Sequence, residues 1–249
     1  MDSDAAAIRA RFERVAPIYD RLNDWLSWGQ HRIWKRMTVK WVQPQRGDTV
    51  LDLCCGSGDL ARLLAHAVGP TGQVVGADFA PAQLAIARQR TPPAPRAAPI
   101  RWLQADALDL PFARARFDGA TLGYGWRNVA DRLRCLQELH RILKPGARAA
   151  ILEFNRPQTP VAHWFQRQYL NAVVVPAARQ LGLEADYAYL AASVERFLDR
   201  GQQLQLAERA GFARATHYPI AHGLMGVLVL QTAPYNRGGK RRAFGDRAA

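Results

Sequence analysis

Cysteines, long apolar runs and acidic residues are all scarce in this sequence. Its 249 residues include 3 cysteines, Cys54, Cys55 and Cys135. Three thiols, two of them adjacent, do not build a disulfide framework, so we expect a reducing compartment. No apolar run approaches the ~18 residues that a membrane-spanning helix needs. The first residues are charged and lack an apolar segment, which predicts that there is no signal peptide.

The shortage of acidic residues leaves the chain strongly basic. There are 21 Asp and Glu against 34 Lys and Arg, a net charge of +13. Such an excess favours an anionic partner, namely nucleic acid, an anionic membrane surface or an acidic substrate, although an arginine-rich coding bias would also explain it. Residues 232–249 hold five cations and one anion, so removing them lowers the net charge only from +13 to +9. The basic character is therefore spread along the chain.

Composition and periodicity predict an α/β protein. Hydrophobic residues make up 49% and charged residues 22%, which excludes wholesale disorder. After a turn at 44–47, short apolar runs alternate with helical patterns, which favours an open, mostly parallel sheet with helices on both faces. We predict strands at 49–53, 73–77, 100–103, 117–122 and 148–154, and a terminal strand pair at 216–220 and 226–230. We predict helices at 60–68, 81–90, 131–143 and 202–210.

Two segments lie outside this alternation. Residues 1–46 read as helices rich in tryptophan, and we expect them to form a lid for substrate and membrane. Residues 156–200 have a helical pattern broken by prolines, which predicts an inserted cap. The main domain would then span 47–233, and 234–249 would be a basic, disordered tail.

The most informative stretch is a glycine-rich turn between the first strand and the first helix of the alternation. Gly56 and Gly58 allow a tight turn and close approach of a ligand to the backbone. Asp78 ends the next strand, twenty residues after Gly58, where a carboxylate accepts hydrogen bonds from ribose hydroxyls. Asp52 and Asp106 stand near the ends of two further strands. Turn capping is the alternative reading of these aspartates.

The details of the turn decide between a dinucleotide, which carries a pyrophosphate, and a cofactor without phosphate. A pyrophosphate-binding turn has a third glycine, which is absent here, and Asp59 at the helix start would repel a pyrophosphate. A cofactor with a cationic or zwitterionic end suits this acidic turn better. S-adenosylmethionine is such a cofactor, and Asp106 follows the third strand, where its adenine amino group would bind.

These residues resemble the class I S-adenosylmethionine-dependent methyltransferases, and other stretches narrow the resemblance to the C-methyltransferases of ubiquinone and menaquinone biosynthesis. The similarity covers roughly residues 10–230 and implies a Rossmann-like domain with a seven-stranded sheet and a terminal antiparallel strand. The matching stretches are 19–23 (YDRLN) with Ser27, His31 and Trp34, 141–146 (RILKPG) with 151–154 (ILEF), and 123–129 (GYGWRNV).

Finer features resemble the phylloquinone branch of this family from oxygenic phototrophs. They are 54–58 (CCGSG), 28–35 (WGQHRIWK) and 171–176 (NAVVVP). The resemblance implies methylation of 2-phytyl-1,4-naphthoquinol to phylloquinol. The open alternatives are a demethylmenaquinol or ubiquinone precursor as acceptor, an RNA methyltransferase suggested by the charge, and a catalytically silent scaffold. Trp126 departs from the family pattern, which puts the shape of the substrate pocket in question.

The resemblance also implies the site residues. Arg127 and Asn128 are the expected catalytic pair, with Arg127 stabilising a phenolate or orienting a water because a guanidinium is too basic to accept a proton. An arginine paired with a neighbouring carboxylate is the alternative. Tyr19, Asn23 and His31 are expected at the substrate, although His31 also suits simple packing. The expected cofactor contacts are Asp52, Cys54, Gly56, Ser57, Gly58, Asp78, Phe79, Asp106, Ala107 and Gly123.

The expected partners follow from the same resemblance. The substrate is a prenylated naphthoquinol, and tryptophans interleaved with arginines and lysines in the N-terminal segment suit an anionic bilayer surface. We therefore expect a cytoplasmic protein held peripherally at a thylakoid or cytoplasmic membrane. We expect no nucleic-acid partner and no metal site, and a homodimer is possible.

Overall fold

The computed structural model describes residues 29–156, 164, 168, 172 and 184–235. A seven-stranded sheet in the order β3-β2-β1-β4-β5-β7-β6 forms its centre, and β7 runs antiparallel to β5 and β6. The strands are β1 Thr49–Leu53, β2 Gln73–Asp78, β3 Ile100–Gln104, β4 Phe117–Gly123, β5 Leu143–Phe154, β6 Arg214–Ile220 and β7 Met225–Gln231.

Helices cover the sheet and connect its parallel strands. They are α1 Gln30–Val42, α2 Asp59–Val68, α3 Pro81–Gln89, α4 Arg132–Ile142, α5 Glu184–Glu195 and α6 Arg200–Arg209, with short 3-10 turns at Trp126–Asn128 and Ala221–Gly223. One core cluster joins α4 and α6 to the sheet, and a second joins α1 and α2 to β1 and β2. The expected mostly parallel sheet with a terminal antiparallel strand is confirmed.

The positions of β1 and β2 agree with the sequence prediction because buried parallel strands read as continuous apolar runs. The last four residues of β1 and the last five of β2 are all buried. The α2 helix buries one apolar stripe, which includes Leu60, Leu64 and Val68. These matched patterns place the loop between β1 and α2 at the carboxyl edge of the sheet.

The predicted start of β5 at residue 148 is wrong. The strand begins at Leu143, which pairs with Phe117, and the register then shifts before Gly119 pairs with Arg148. Gly146 has φ of 80° within this irregular stretch, and its N–H donates to the carbonyl of Ala233 at 2.9 Å. A Lys-Pro-Gly run typical of a turn therefore forms an irregular stretch of β5 that is not paired with β4.

The N-terminal and cap predictions are only partly within the described residues. The α1 helix confirms the helical pattern from Gln30 onward, and α5 and α6 confirm helix at the end of the cap and after it. Residues 1–28, the prolines of the cap and residues 236–249 lie outside the described residues. Within those that are described, no helix is long and apolar enough to cross a bilayer.

Candidate active site

A cavity of about 880 Å³ opens at the carboxyl ends of β1, β2 and β4. The strand order reverses here, since β1 has β2 on one side and β4 on the other. Open α/β sheets bind ligands at such a switch point, and the volume suits a nucleoside-sized ligand together with a second small molecule.

The glycine-rich loop forms one wall of the cavity. Cys54, Gly56 and Gly58 all have positive φ, at 53°, 51° and 86°. A Cβ on Gly56 would have only the Gln83 side chain within 4 Å, so this backbone faces open space. A Cβ on Gly58 would lie 2.5 Å from the ring of Trp102. Gly56 therefore leaves room for a ligand, whereas Gly58 leaves room for a packed side chain.

Asp78 ties this loop to the next strand. Its Oδ2 accepts the N–H of Gly56 at 2.8 Å, and its Oδ1 accepts the N–H of Ala80 at 2.9 Å. Burial raises the pKa of Asp78, and these two hydrogen bonds oppose the rise. Each oxygen keeps a lone pair, so the carboxylate both shapes the loop and remains able to accept a ligand hydroxyl.

Asp52 lies deeper in the same wall. Its Oδ1 accepts the hydroxyl of Thr121 at 2.8 Å, and its buried Oδ2 has no hydrogen-bond partner among the described residues. Burial raises the pKa of Asp52 to about 7, and the bond from Thr121 offsets only part of that effect. A ligand that brings a donor or a positive charge would satisfy this acceptor.

The charge of Asp59 is neutralised by two ion pairs. This weakens the expectation from the sequence that Asp59 repels a pyrophosphate. Both oxygens of Asp59 make ion pairs, one with Lys35 of α1 and the other with Arg62. Burial would raise the pKa of Asp59, but the two cations outweigh it, so the pKa lies below its ordinary value. The α2 terminus is thus less repulsive to a phosphate than the sequence alone indicates.

The adenine side of the cavity follows β3. Asp106 accepts the N–H of Leu108 at 2.9 Å, so the turn-capping alternative for this residue is borne out. Its second oxygen accepts no hydrogen bond from the part of the chain that the structure describes. Gln104 donates to the carbonyl of Phe79 at 3.3 Å and joins the ends of β2 and β3. Phe79, Asp106 and Ala107 all line the cavity.

Arg127 lies in the opposite wall and is paired with a buried carboxylate. Its Nη1 donates to Oε1 of Glu153 at 2.7 Å and to the carbonyl of Tyr124 at 2.6 Å, and its backbone N–H donates to Oε2 of Glu153 at 3.1 Å. The guanidinium also covers the ring of Phe154 at 5.1 Å. The sequence alternative of a paired arginine is therefore seen, while Arg127 still lines the cavity.

Asn128 stands beside this pair and meets a residue from a distant helix. Its Oδ1 accepts the hydroxyl of Tyr189 on α5 at 3.2 Å. Arg132 contributes a third polar side chain to the cavity wall, and its Nη2 donates to the carbonyl of Arg127 at 2.7 Å. Burial lowers the pKa of Arg132. The wall therefore presents donors opposite the carboxylate-lined loop.

The structure brings most of the predicted site together. The predicted residues that line the cavity are Asp52, Cys54, Gly56, Ser57, Asp78, Phe79, Asp106, Ala107, Gly123, Arg127 and Asn128. Gly58 and His31 do not line it. His31 is buried on α1 and acts electrostatically on Asp59, in keeping with its packing alternative. Tyr19 and Asn23 lie outside the described residues.

Sequence reasoning missed Lys35, Arg132 and Tyr189, which line the cavity, and Glu153, which pairs with Arg127. Glu153 lies in the 151–154 motif, and the available signal was a carboxylate inside an otherwise apolar strand. Trp126, the departure from the family pattern, is fully buried against Phe197 and does not line the cavity. The Trp126 side chain therefore forms no part of the cavity wall.

The fold and this cavity define a class I S-adenosylmethionine-dependent methyltransferase. Solved structures with the same fold include a possible histamine N-methyltransferase of Thermotoga maritima, with TM-score 0.63, 19% identity and coverage of 89% of this chain and 98% of that one. A methyltransferase of Aquifex aeolicus gives TM-score 0.57 and 16% identity over 80% and 89% of the two chains. Identities this low support the fold alone.

The chain belongs to the ubiE/COQ5 methyltransferase family, whose model matches residues 1–230. A 2-phytyl-1,4-naphtoquinone methyltransferase of Nostoc punctiforme is 56% identical over 223 residues, which are 90% of this chain and 97% of that protein. A chloroplastic 2-phytyl-1,4-beta-naphthoquinone methyltransferase of Arabidopsis thaliana is 50% identical over 224 residues, 89% and 85% of the two chains.

The methyl donor of this family, S-adenosylmethionine, fits the cavity. The orphaned oxygen of Asp52 suits a ligand with a donor group, and the open side of Gly56 leaves space against the loop backbone. Asp78 would hold the ribose, and Asp106 with Phe79 would hold the adenine. The expectation of this cofactor is confirmed by the family, while the individual contacts stay predictions.

Proposed function

We propose that this protein methylates a ring carbon of 2-phytyl-1,4-naphthoquinol and thereby performs the last methylation step of phylloquinone biosynthesis. Relatives that are 50–56% identical over about 90% of the chain carry names with this acceptor. The observation that carries the proposal is a single cavity in which the cofactor loop faces Arg127, Asn128 and Arg132.

The chemistry requires a nucleophilic carbon and an aligned methyl group. S-adenosylmethionine supplies a methyl group on a sulfonium, which is already activated for attack. The acceptor carbon becomes nucleophilic when the neighbouring phenol oxygen loses its proton and donates electron density into the ring. The carbon–carbon bond then forms as the carbon–sulfur bond breaks and S-adenosylhomocysteine leaves. The same ring carbon loses its hydrogen as a proton to water, and the phenol oxygen regains a proton, so the net products are the methylated quinol and one proton. The oxidised quinone is electron-poor, so the substrate must be the reduced quinol.

Arg127, Asn128 and Arg132, which form the polar wall of the cavity, then have defined roles. Asn128 donates a hydrogen bond to the reacting oxygen, and Arg127 and Arg132 stabilise the negative charge that develops on it. Arg127 shares its charge with Glu153, so its position is fixed before the substrate arrives. Alignment of the two reactants in a closed cavity is worth up to ~7–11 kcal/mol of the barrier.

The acceptor assay tests this function directly. Purified protein is given labelled S-adenosylmethionine with reduced or oxidised 2-phytyl-1,4-naphthoquinone, with reduced polyprenylated naphthoquinone or ubiquinone precursors, or with RNA. We expect the highest kcat/KM on the phytyl quinol and no transfer to the oxidised quinone. A higher value on a polyprenyl acceptor would reassign the substrate, and methylation of RNA or of no quinol would overturn the proposal.

A cellular experiment tests the pathway step. The gene is introduced into a strain that accumulates demethylphylloquinone, and the extracted quinones are identified and quantified by mass spectrometry. We expect restoration of phylloquinone by the natural chain and not by Asp78→Ala. Normal cofactor binding with no turnover on any quinol would favour the silent-scaffold alternative.

We also propose that residues 1–46 form a lid at the acceptor end of the site and touch an anionic membrane surface, with 47–233 as the catalytic domain and 156–200 as its cap. The α1 helix supports this role because it joins the cavity to a basic surface. Lys35 lines the cavity, whereas Arg32, Arg36 and Lys40 are exposed on the same helix. Ile33 beside them is 55% exposed. A basic helix with exposed apolar side chains suits the surface of a bilayer that holds the phytyl chain.

A further inference from the structure

The α5 helix supplies one side chain to the cavity that the proposed mechanism does not use. This helix packs against the 3-10 turn at Trp126–Asn128 and brings Tyr189 into the cavity wall. Tyr189 is 61 residues from Asn128 in the chain, yet its hydroxyl donates to Oδ1 of Asn128 at 3.2 Å. The contact therefore joins the cap to the polar wall of the active site.

This hydrogen bond fixes the orientation of the Asn128 carboxamide. Among the residues that the structure describes, the only other hydrogen bond of the Asn128 side chain runs from Nδ2 to the carbonyl of Tyr124 at 3.5 Å, which is at the outer limit for such a bond. A carboxamide has an acceptor end and a donor end that occupy nearly the same space. Without Tyr189, little would decide which end points into the cavity.

The orientation matters because the reaction needs a donor. Negative charge develops on the phenol oxygen of the acceptor, and preorganised N–H groups stabilise it best. The Nη1 of Arg127 is already engaged by Tyr124 and Glu153. Because the Tyr189 hydroxyl occupies the acceptor end of Asn128, the donor end is the one available to substrate.

We propose that Tyr189 is a positioning residue for methyl transfer, acting through Asn128 by holding its carboxamide with Nδ2 toward the acceptor oxygen. The proposal rests on the proposed function of the site. It assigns the cap helix α5 a part in the chemistry of the site.

The test is a double-mutant cycle measured on the full-length protein. Tyr189→Phe keeps the ring and removes the hydroxyl, and we expect kcat with 2-phytyl-1,4-naphthoquinol to fall about three- to tenfold. The KM for the quinol should change less than twofold, and the affinity for S-adenosylmethionine and the melting temperature should stay unchanged, because the lost interaction matters mainly in the transition state. In an Asn128→Ala background the same substitution should have no further effect on kcat.

The matched control is Tyr218→Phe, which removes a hydroxyl from a tyrosine that stacks on Trp41, and we expect its kcat to equal that of the natural protein. The proposal is overturned if Tyr189→Phe keeps full kcat, or if its effect multiplies with that of Asn128→Ala.

Failure of the proposed function gives a different result. If the natural protein does not methylate the phytyl quinol, binding of 2,4-dinitro-1-naphtholate in the presence of S-adenosylhomocysteine replaces turnover as the readout, because this anion carries on its oxygen the negative charge that develops in the transition state. Tyr189→Phe should then weaken binding at least threefold in the natural background and not in Asn128→Ala. Equal binding by all variants would overturn the role of Tyr189 independently of the natural acceptor.

Discussion

Two buried carboxyl groups at the same sheet edge differ in what holds them. Both oxygens of Asp78 accept backbone N–H groups, whereas Asp52 has one bond from Thr121 and one oxygen without a partner among the described residues. Burial raises the pKa of both, and that of Asp52 to about 7. Asp78 is therefore suited to a permanent hydrogen-bonding role, and Asp52 to a charge that depends on pH and ligand.

Replacing Asp78 with alanine should weaken cofactor binding. The loss includes the bond to the Gly56 N–H that shapes the loop and the proposed contact with the cofactor ribose. Hydrogen bonds to a charged group contribute about 1.5–3 kcal/mol each, so the Kd for S-adenosylmethionine should rise about 10- to 100-fold in calorimetry. The control is Asp118→Ala, which removes a carboxylate that binds Lys144 and the N–H of Thr49 at the start of β1. Unchanged affinity in Asp78→Ala would contradict the assigned site.

Replacing Asp52 with asparagine should change how stability depends on pH. The pKa is about 7 in the folded protein and close to 3.8 in the unfolded chain. Between about pH 4 and pH 7 only the folded state keeps this proton, so the group lowers stability by about 1.4 kcal/mol for each unit that the pH rises. The unfolding free energy of Asp52→Asn minus that of the natural protein should therefore grow through this window and level off above it. Urea titrations without cofactor measure the difference, and a constant value would contradict the assignment.

At the scale of elements, α1 is attached to the domain by a specific contact. Lys35 is nearly buried on α1, and its ammonium pairs with Asp59 at the start of α2. The same face of α1 packs against β4 and β5. This attachment places α1 at the cavity edge, which the proposed lid requires.

Removing the Lys35 charge should loosen this attachment. We expect Lys35→Ala to lower the unfolding free energy by about 1–2 kcal/mol at pH 7, less than a fully buried pair because Asp59 is partly exposed and keeps Arg62. The depressed pKa of Asp59 means that the contribution is present at neutral pH and is lost as the pH falls through that value. Lys40→Ala, an exposed lysine on the same helix, should change stability by less than about 0.5 kcal/mol in the same denaturation series. Equal effects of the two substitutions would contradict the anchoring role.

The elements that could be predicted are those whose signal is local. The apolar run of β1 and the glycines after it give strand, turn and cofactor loop together, because both the burial and the backbone conformation are set within a few residues. The start of β5 was missed because Lys144-Pro145-Gly146 has turn chemistry, and the strand extends back over it only because Leu143 pairs with Phe117 ahead of a register shift. Tyr189 was missed because its role depends on a contact across 61 residues, which no periodicity encodes.

The net positive charge of the whole molecule has no role in the cofactor half of the cavity. The net charge is +13, yet the cavity wall carries several aspartates, so the charge does not serve the cofactor. A lipid acceptor offers a reason, since anionic headgroups attract basic residues with about 1 kcal/mol for each Lys or Arg near the surface. The exposed cations of α1 lie on the helix that also reaches the cavity.

Charge reversal on α1 should therefore separate membrane contact from catalysis. The triple variant Arg32→Glu, Arg36→Glu and Lys40→Glu should bind vesicles with anionic lipids at least 100-fold more weakly and lose turnover of the phytyl quinol in those vesicles. Its turnover of a short-chain quinol in solution should stay unchanged. The matched control replaces Arg88, Arg90 and Arg96 with Glu. These arginines are exposed on α3 and in the segment that follows it, and the control changes the net charge by the same amount. Salt near 1 M shortens the screening length to about 3 Å and should abolish the difference between the two variants. Equal vesicle binding by the two triple variants at low salt would mean that membrane binding depends on the net charge of the protein. It would contradict a specific contact of α1 with the membrane.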